Sequence, residues 1–331
     1  MNAIEIKNLS KHFDKLKAVD RISFIIKEGE MFGLLGPNGA GKTTTIKMLA
    51  TILSPTDGGA KVWNHDIHEE PDEVRRAIGI VFQDPAIDDY LTGEENLDFH
   101  ARMYGMKKDI RNERIKTVLK LVNLSDKADV LVKEYSGGMK RRLEIARGLM
   151  HYPKVLFLDE PTLGLDAQTR RAIWEYIKKL NKEEKITIIL TTHYMEEADY
   201  LCDRVAIIDM GKILAIDSPE NLKEKIGGDI ISLKASDTKK LEKIYKKESY
   251  VNNIKMHDGH INLYVEKPEK RIPKIIEMAN KAKVEIHSAN IHRPTLEDVF
   301  LHYTGRKIRE EGADVRERMR EHIRMRTGVR R

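Results

Sequence analysis

The stretch Gly36-Pro37-Asn38-Gly39-Ala40-Gly41-Lys42-Thr43-Thr44 constrains this chain more than any other, because a strand-like run enters it and a helix-like run leaves it. Met31-Phe32-Gly33-Leu34-Leu35 reads as a buried strand, and Thr45-Ile46-Lys47-Met48-Leu49-Ala50 as the first turns of a helix. Gly36 and Gly41 let the backbone turn and approach a ligand closely, so that successive N–H groups and the positive helix end converge on phosphate oxygens. Lys42 adds a mobile ammonium for β- and γ-phosphates. The Thr43 hydroxyl is the expected ligand of Mg²⁺, which takes oxygen donors. The whole stretch, Pro37, Asn38, Gly39, Ala40 and Thr44 included, is read as a phosphate-binding P-loop.

A chain of 331 residues with 40% hydrophobic content can bury a sizeable core and predicts two domains. No run of about 18 apolar residues occurs, and no apolar signal core follows the first charges, so a cytosolic chain without a membrane span is expected. Cys202, the single cysteine, lies in an apolar stretch and reads as a small buried hydrophobe. The net charge of +6 is largely a property of the tail, where residues 306–331 hold ten Lys/Arg against five Asp/Glu. Such a tail can meet anionic lipid, nucleic acid or an acidic partner, although a solvated charged helix is the commoner outcome. The body carries no basic stripe.

Residues 3–7 and 22–26 read as strands joined by a link containing Phe13. That aromatic either stacks on a purine ring or packs under the sheet. Ile78 to Phe82 reads as a strand whose carboxyl end presents Gln83, well placed to touch a metal or water beside a nucleotide. Residues 93–133 are helical in period, with Ile115, Val118, Leu119 and Val122 on one stripe, and predict an inserted helical subdomain. Ser136-Gly137-Gly138 then opens another helix, and an N-cap hydroxyl with two bare glycine N–H groups makes a second anion site. Two such sites so close in one sequence imply a dimer.

Val155-Leu156-Phe157-Leu158-Asp159-Glu160 is a continuous apolar run ending in two carboxylates, the pattern of a central parallel strand. Asp159 is expected to orient Mg²⁺ or its waters, and Glu160 to accept a proton from, or orient, an attacking water. Asp166 in the following turn is available to bridge to a neighbour. His193 stands just past the next buried strand, Ile186 to Thr192, and can hydrogen-bond the γ-phosphate or the water.

With these residues together, positions 1 to about 225 resemble the ATP-binding subunit of an ABC transporter. The resemblance implies a RecA-like α/β core with an antiparallel β edge, a helical subdomain over about 93–150, and a head-to-tail dimer. Each ATP would lie between the P-loop of one copy and Ser136, Gly137 and Gly138 of the other. It also implies Phe13 as the base-stacking aromatic, Gln83 as a glutamine near the metal, and Asp159 and Glu160 as metal acid and catalytic base. Asp166 matches the dimer-contacting aspartate, and His193 the switch histidine. Tyr135 and Met139 depart from the usual leucine and glutamine around the Ser-Gly-Gly core, and Phe13 replaces the usual tyrosine.

Tyr135 to Glu144 and Arg293 to Leu301 are similar to the daunorubicin-resistance branch, whose permeases are of the ABC-2 exporter type. Residues 226–304 read as a small α+β accessory domain in strand, helix, strand, strand, helix, strand order, which suits a ferredoxin-like module. Its histidines His257, His260, His287 and His292 lack thiols or paired carboxylates at ligand spacing, so no metal site is expected there. Residues 305–331 form the charged helical tail. An exporter motor on the inner face of the membrane, using ATP and Mg²⁺, is thus the expected function. The alternatives are a soluble ABC ATPase acting on nucleic acid or ribosomes, or an importer ATPase with a regulatory C-terminal domain. No specific nucleic acid is expected as partner, because tandem cassettes, coiled-coil insertions and zinc modules are absent from the sequence.

Overall fold

The computed structural model describes residues 1–257 and 259–305; the charged tail read from the sequence lies outside them. A six-stranded sheet forms the centre, in the order Lys212–Asp217, Arg204–Asp209, Met31–Leu35, Thr187–Thr192, Val155–Asp159 and Ile78–Val81. All neighbours are parallel except Lys212–Asp217, which pairs antiparallel at one edge. The strand alternation splits the core in two. Leu35, Leu156, Leu158, Ile188 and Leu190 point into one apolar cluster, whereas Phe32, Leu34, Val155, Phe157 and Ile189 point into the other. A parallel strand covered on both faces needs apolar side chains at every position, which is why these segments carry unbroken hydrophobic runs.

One face is covered by the helix Lys42–Leu49 and by a four-stranded antiparallel sheet, with Phe24 of that sheet stacked on Phe32 at 5.1 Å. That sheet is built on a long hairpin, Asn2–Phe13 with Leu16–Lys27, rather than on two short strands with a loose link. The register shifts several times along it, so the alternation expected of a regular strand is broken in the sequence. Phe13 therefore sits at a hairpin tip, 45% exposed, with the Lys11 ammonium 5.2 Å from its ring.

The other face is covered by helices, among them Ala167–Glu184 and Gly137–Gly148. Within the predicted helical region, helices span Gly93–Met103 and Lys108–Leu121, and the remainder is loop with single 3₁₀ turns. The first starts on a capping box between Thr92 and Glu95. The second ends where Asn123 takes the left-handed conformation, φ 55°, a common helix stop. Among the described residues no helix is long and apolar enough to cross a membrane.

An aromatic stack ties this helical layer to the sheet edge. Tyr104 lies 3.9 Å from His151 in a near-parallel stack, His100 adjoins Tyr104 at 5.1 Å, and the His151 Nε2–H donates to the Ile78 carbonyl at 2.7 Å. Burial, reinforced by the charges of Arg147 and His151, holds the His100 imidazole down to about 4. A histidine depressed on folding contributes stability that is complete above the unfolded value and is lost as pH falls. Between pH 6.5 and 4 the loss amounts to about 3 kcal/mol. In urea titrations across that range, the parent chain should lose stability more steeply than His100→Gln; parallel curves would contradict this account.

The C-terminal residues form a third sheet in the order Val251–His257, His260–Val265, Asp229–Ala235, Ile286–His292, antiparallel throughout. With helices Thr238–Tyr245 and Pro268–Lys281 this is the ferredoxin-like arrangement. Ile231, Leu233, Ile261 and Leu263 pack on those helices through Leu241, Tyr245 and Ile275. From the opposite face, Ile230 and Tyr264 join the main cluster of the cassette together with Leu296, Val299 and Phe300. These last belong to the helix Leu296–Thr304, which opens on a Thr295–Asp298 capping box and packs against Met195–Leu201 and Pro219–Glu224. The sequence Arg293 to Leu301 is thus a capped docking helix.

Candidate functional site

Four strands of the central sheet release their chains at one edge, and the chemistry collects there. After Leu35 the backbone passes so close to its neighbour strand that a Cβ on Gly36 would lie 2.1 Å from the Ile208 carbonyl oxygen. At the far end of the loop Gly41 has φ 105°, and a Cβ there would lie 2.4 Å from the Ala18 carbonyl oxygen. These two glycines admit the protein's own backbone, a tighter requirement than approach to a ligand alone. Gly41 is also the N-cap of Lys42–Leu49 and has no side chain to cap it. The first-turn N–H groups have no intrahelical acceptor, which makes this helix end a candidate anion site.

Lys42, only 4% exposed, curls back so that Nζ donates to the carbonyls of Gly36 at 2.8 Å and Pro37 at 3.1 Å. The same Nζ is 3.3 Å from Glu160 Oε1. Thr43 Oγ1 donates to Asp159 Oδ1 at 3.0 Å, and Thr191 Oγ1 donates to the same oxygen at 2.5 Å. His193 Nδ1 lies 3.3 Å from Glu160 Oε1. Burial pulls the Glu160 carboxyl upward, but the His193 hydrogen bond and the Lys42 ammonium outweigh it and leave it below the ordinary carboxylate range. Glu160 is therefore ionised at neutral pH, the charge state a general base needs.

The structure thus brings together Lys42, Thr43, Asp159, Glu160 and His193 around the loop of residues 36–44. The other residues singled out from the sequence stand apart from this cluster. Gln83 is exposed in the bend after Ile78–Val81, and Phe13 is at its hairpin tip. Ser136 caps the helix Gly137–Gly148, its hydroxyl accepting from the Met139 N–H at 3.3 Å. Gly138 is held against Thr169, where a Cβ would come within 2.6 Å of the Thr169 methyl, and Gly137 has Leu165 nearby. Tyr135 is buried and its hydroxyl donates to the Lys127 carbonyl at 2.6 Å, so this departure from leucine serves an internal anchor. Asp166 caps Ala167–Glu184, accepting from the Thr169 N–H at 2.9 Å and its hydroxyl at 2.6 Å.

Two residues of the site escaped sequence reading. Thr191 looked like one more β-former in an apolar run, yet its hydroxyl binds Asp159 and also accepts from the Glu160 N–H at 3.0 Å. Arg141 is one of three successive basic residues, Lys140 to Arg142, in a helix-forming run, yet it is buried. A buried arginine leaves no trace in a single sequence beyond its i,i+3 spacing to an acid, here Glu144, on the same helix.

A parallel sheet that carries a phosphate loop on one strand and acids on the strand two places away is the framework of the P-loop nucleotide hydrolases. Residues 19–163 match the ABC transporter family, and residues 218–304 match the ATP-binding protein DrrA1-3-like C-terminal domain. The chain belongs to the ATP-binding subunits of ABC transporters and is an ATPase of that family. It is 38% identical over 311 residues to the linearmycin resistance ATP-binding protein LnrL of Bacillus subtilis, covering 93% of this chain and 100% of that one. It is 37% identical to the daunorubicin/doxorubicin resistance ATP-binding protein DrrA of Streptomyces peucetius, over 92% of each. The Nod factor export ATP-binding protein I of Burkholderia lata is 38% identical, over 93% of this chain and 98% of its own. Among solved structures, the dimeric post-hydrolysis state of the cassette MJ0796 bound to ADP and Pi superposes with a TM-score of 0.59 at 29% identity, covering 65% of this chain and 98% of that one. The Clostridium perfringens subunit cbiO1, part of the ABC transporter complex cbiONQ, gives 0.63 at 29% identity, over 75% and 96%.

Proposed function

We propose that this chain is the motor of an exporter, in which two copies close around two ATP molecules and drive a separate membrane permease of the ABC-2 type. The observation that carries this reading is the likeness, over 92–93% of the chain, to the ATP-binding proteins named for linearmycin and daunorubicin resistance and for Nod factor export. On this reading residues 1–225 are the nucleotide-binding domain, residues 226–304 the accessory domain, and the complex sits on the inner face of the membrane.

Each residue has a task that follows from its position. The loop N–H groups from Gly36 to Thr44 and the Lys42 ammonium bind the phosphates. Phe13, exposed at its hairpin tip, stacks on the base. Ser136, Gly137 and Gly138 of the second copy complete the site, with Asp166 near the contact. Thr43 and Asp159 are hard oxygen donors already 3.0 Å apart, a pair that fits Mg²⁺, and Gln83 would join them. When bound, the ion neutralises phosphate charge and orients the transferring group. Glu160 takes the proton of the attacking water, and His193 holds the Glu160 carboxylate and the outer phosphate in line.

The experiment is isolation from detergent-solubilised membranes of the cell that makes the protein. A multi-span membrane protein should remain bound to the chain through gel filtration and raise its ATPase rate. Recovery only in the soluble fraction, with turnover stimulated by RNA or DNA instead, would overturn the exporter reading in favour of the nucleic-acid alternative.

A further inference from the structure

We propose that Arg141 is a positioning residue for hydrolysis, holding the Glu160 peptide in its working conformation and tying it to the helix that starts at Gly137. The inference rests on Glu160 being the catalytic base.

Arg141 is 9% exposed, and every one of its five N–H donors is used. Nε donates to the Pro161 carbonyl at 2.7 Å. Nη1 donates to the Phe82 carbonyl at 2.7 Å and to Glu144 Oε2 at 3.1 Å. Nη2 donates to the Asp159 carbonyl at 3.1 Å and the Glu160 carbonyl at 3.2 Å. A single planar group thus collects the carbonyls of the two acids, of the proline that follows them, and of the residue before Gln83. Glu144, 1% exposed, completes the pair: its other oxygen accepts from the Ala86 N–H at 2.5 Å.

The peptide so gripped is not a relaxed one. Glu160 has φ 47°, a left-handed backbone that a residue with a Cβ adopts only where its surroundings impose it. Thr191 holds the Glu160 N–H on one side, with its hydroxyl at 3.0 Å and its carbonyl at 3.2 Å. Arg141 holds the carbonyl on the other. The carboxylate is aimed at the loop by this backbone, so loosening the grip moves the base relative to the water it must meet. The grip comes from the helix capped by Ser136, so one side chain joins that helix to the peptide of the base. Phe82 to Ala86, which includes Gln83, is fastened to the same pair at both ends.

The test compares Arg141→Lys with Arg142→Lys in the full chain. Arg142 is the next residue of the same helix and also donates to two carbonyls, those of Val122 and Asn123, away from the site. Lysine keeps the charge but has three donors on a flexible stem and cannot bridge four carbonyls. Misplacing a catalytic group by about 1 Å costs about 100-fold, so Arg141→Lys should lower kcat by about that factor while KM for ATP and Kd for ADP stay within about threefold. Arg142→Lys should leave all three near the parent values. Should Arg141→Lys fail to fold, Glu144→Gln decides, since it keeps the shape and an acceptor for Ala86 but removes the charge partner of Arg141; its kcat should fall at unchanged KM.

A kcat near the parent value in Arg141→Lys, or in Glu144→Gln if that variant has to decide, overturns the proposal. So does a kcat that falls only together with nucleotide affinity. Glu160→Gln separates this failure from failure of the base itself: if that variant still turns over, the base assignment is wrong, whereas if it is inactive and Arg141→Lys is not impaired, only the positioning role fails.

Discussion

Glu160→Gln is expected to abolish steady-state ATP turnover and to accumulate an ATP-bound dimer. Glutamine preserves the shape of the side chain and an oxygen for the His193 hydrogen bond, now 3.3 Å long, but it cannot take a proton. Loss of a positioned general base costs about 100- to 10,000-fold. The substitution also removes a negative charge 3.3 Å from the Lys42 ammonium, which leaves that ammonium more available to phosphate oxygens. Binding should be kept or tightened while chemistry stops. Phosphate release measures the first effect, and gel filtration with ATP the second. Turnover at the parent rate would remove Glu160 from the mechanism. Because the Glu160 pKa is lowered, its contribution to stability is fully present above the unfolded value near 4.5 and is lost as pH falls through the folded value. The acid limb of kcat/KM due to this group, which reports the free enzyme, therefore lies below the ordinary glutamate range.

Gly41→Ala should be the most damaging of the small substitutions in the loop. Its φ of 105° is strained for any residue with a Cβ, and the added carbon would meet the Ala18 carbonyl oxygen, a backbone atom, at 2.4 Å. Left-handed strain of about 1–2 kcal/mol and overpacking of about 1–3 kcal/mol together give about 2–5 kcal/mol. Relief of that strain would also displace the start of the helix Lys42–Leu49 and with it the phosphate-binding N–H groups. Gly39→Ala is the internal comparison: φ is 79° but nothing lies within 4 Å of the new carbon, so about 1–2 kcal/mol is expected. Urea unfolding and binding of a fluorescent ATP analogue should rank the two variants in that order. Equal behaviour would mean that backbone crowding at Ala18 does not shape the loop.

The parts of this chain that could be read from sequence are those where one physical demand dictates the side chains. Val155 to Leu158 is apolar at every position because its strand is covered on both faces, and the acids follow where that cover ends. The phosphate loop is legible because no other residue set permits its backbone path. Legibility fails where several demands compete. The hairpin Asn2–Phe13 with Leu16–Lys27 shifts register, so its alternation breaks between Ile6 and Leu9 and again before Lys11. The strand Ile286–His292 runs through Ser288, Ala289 and Asn290, which carry no strand signal and are held by pairing with Asp229–Ala235. Arg141 and Thr191 were hidden for another reason: their value lies in carbonyls and carboxylates contributed by distant parts of the chain, and spacing along one segment cannot register them.

The continuous apolar seam between the cassette and its C-terminal sheet carries a consequence for inheritance. Leu296, Val299 and Phe300 share one cluster with Ala198, Leu201 and Leu222, and Met195–Leu201 is the helix that leaves the strand end bearing His193. The C-terminal module is accordingly a wall of the motor and not an exchangeable cartridge. Transplanting it between relatives would require both sides of the seam to travel together, because the side chains that bury Leu296, Val299 and Phe300 belong to the cassette.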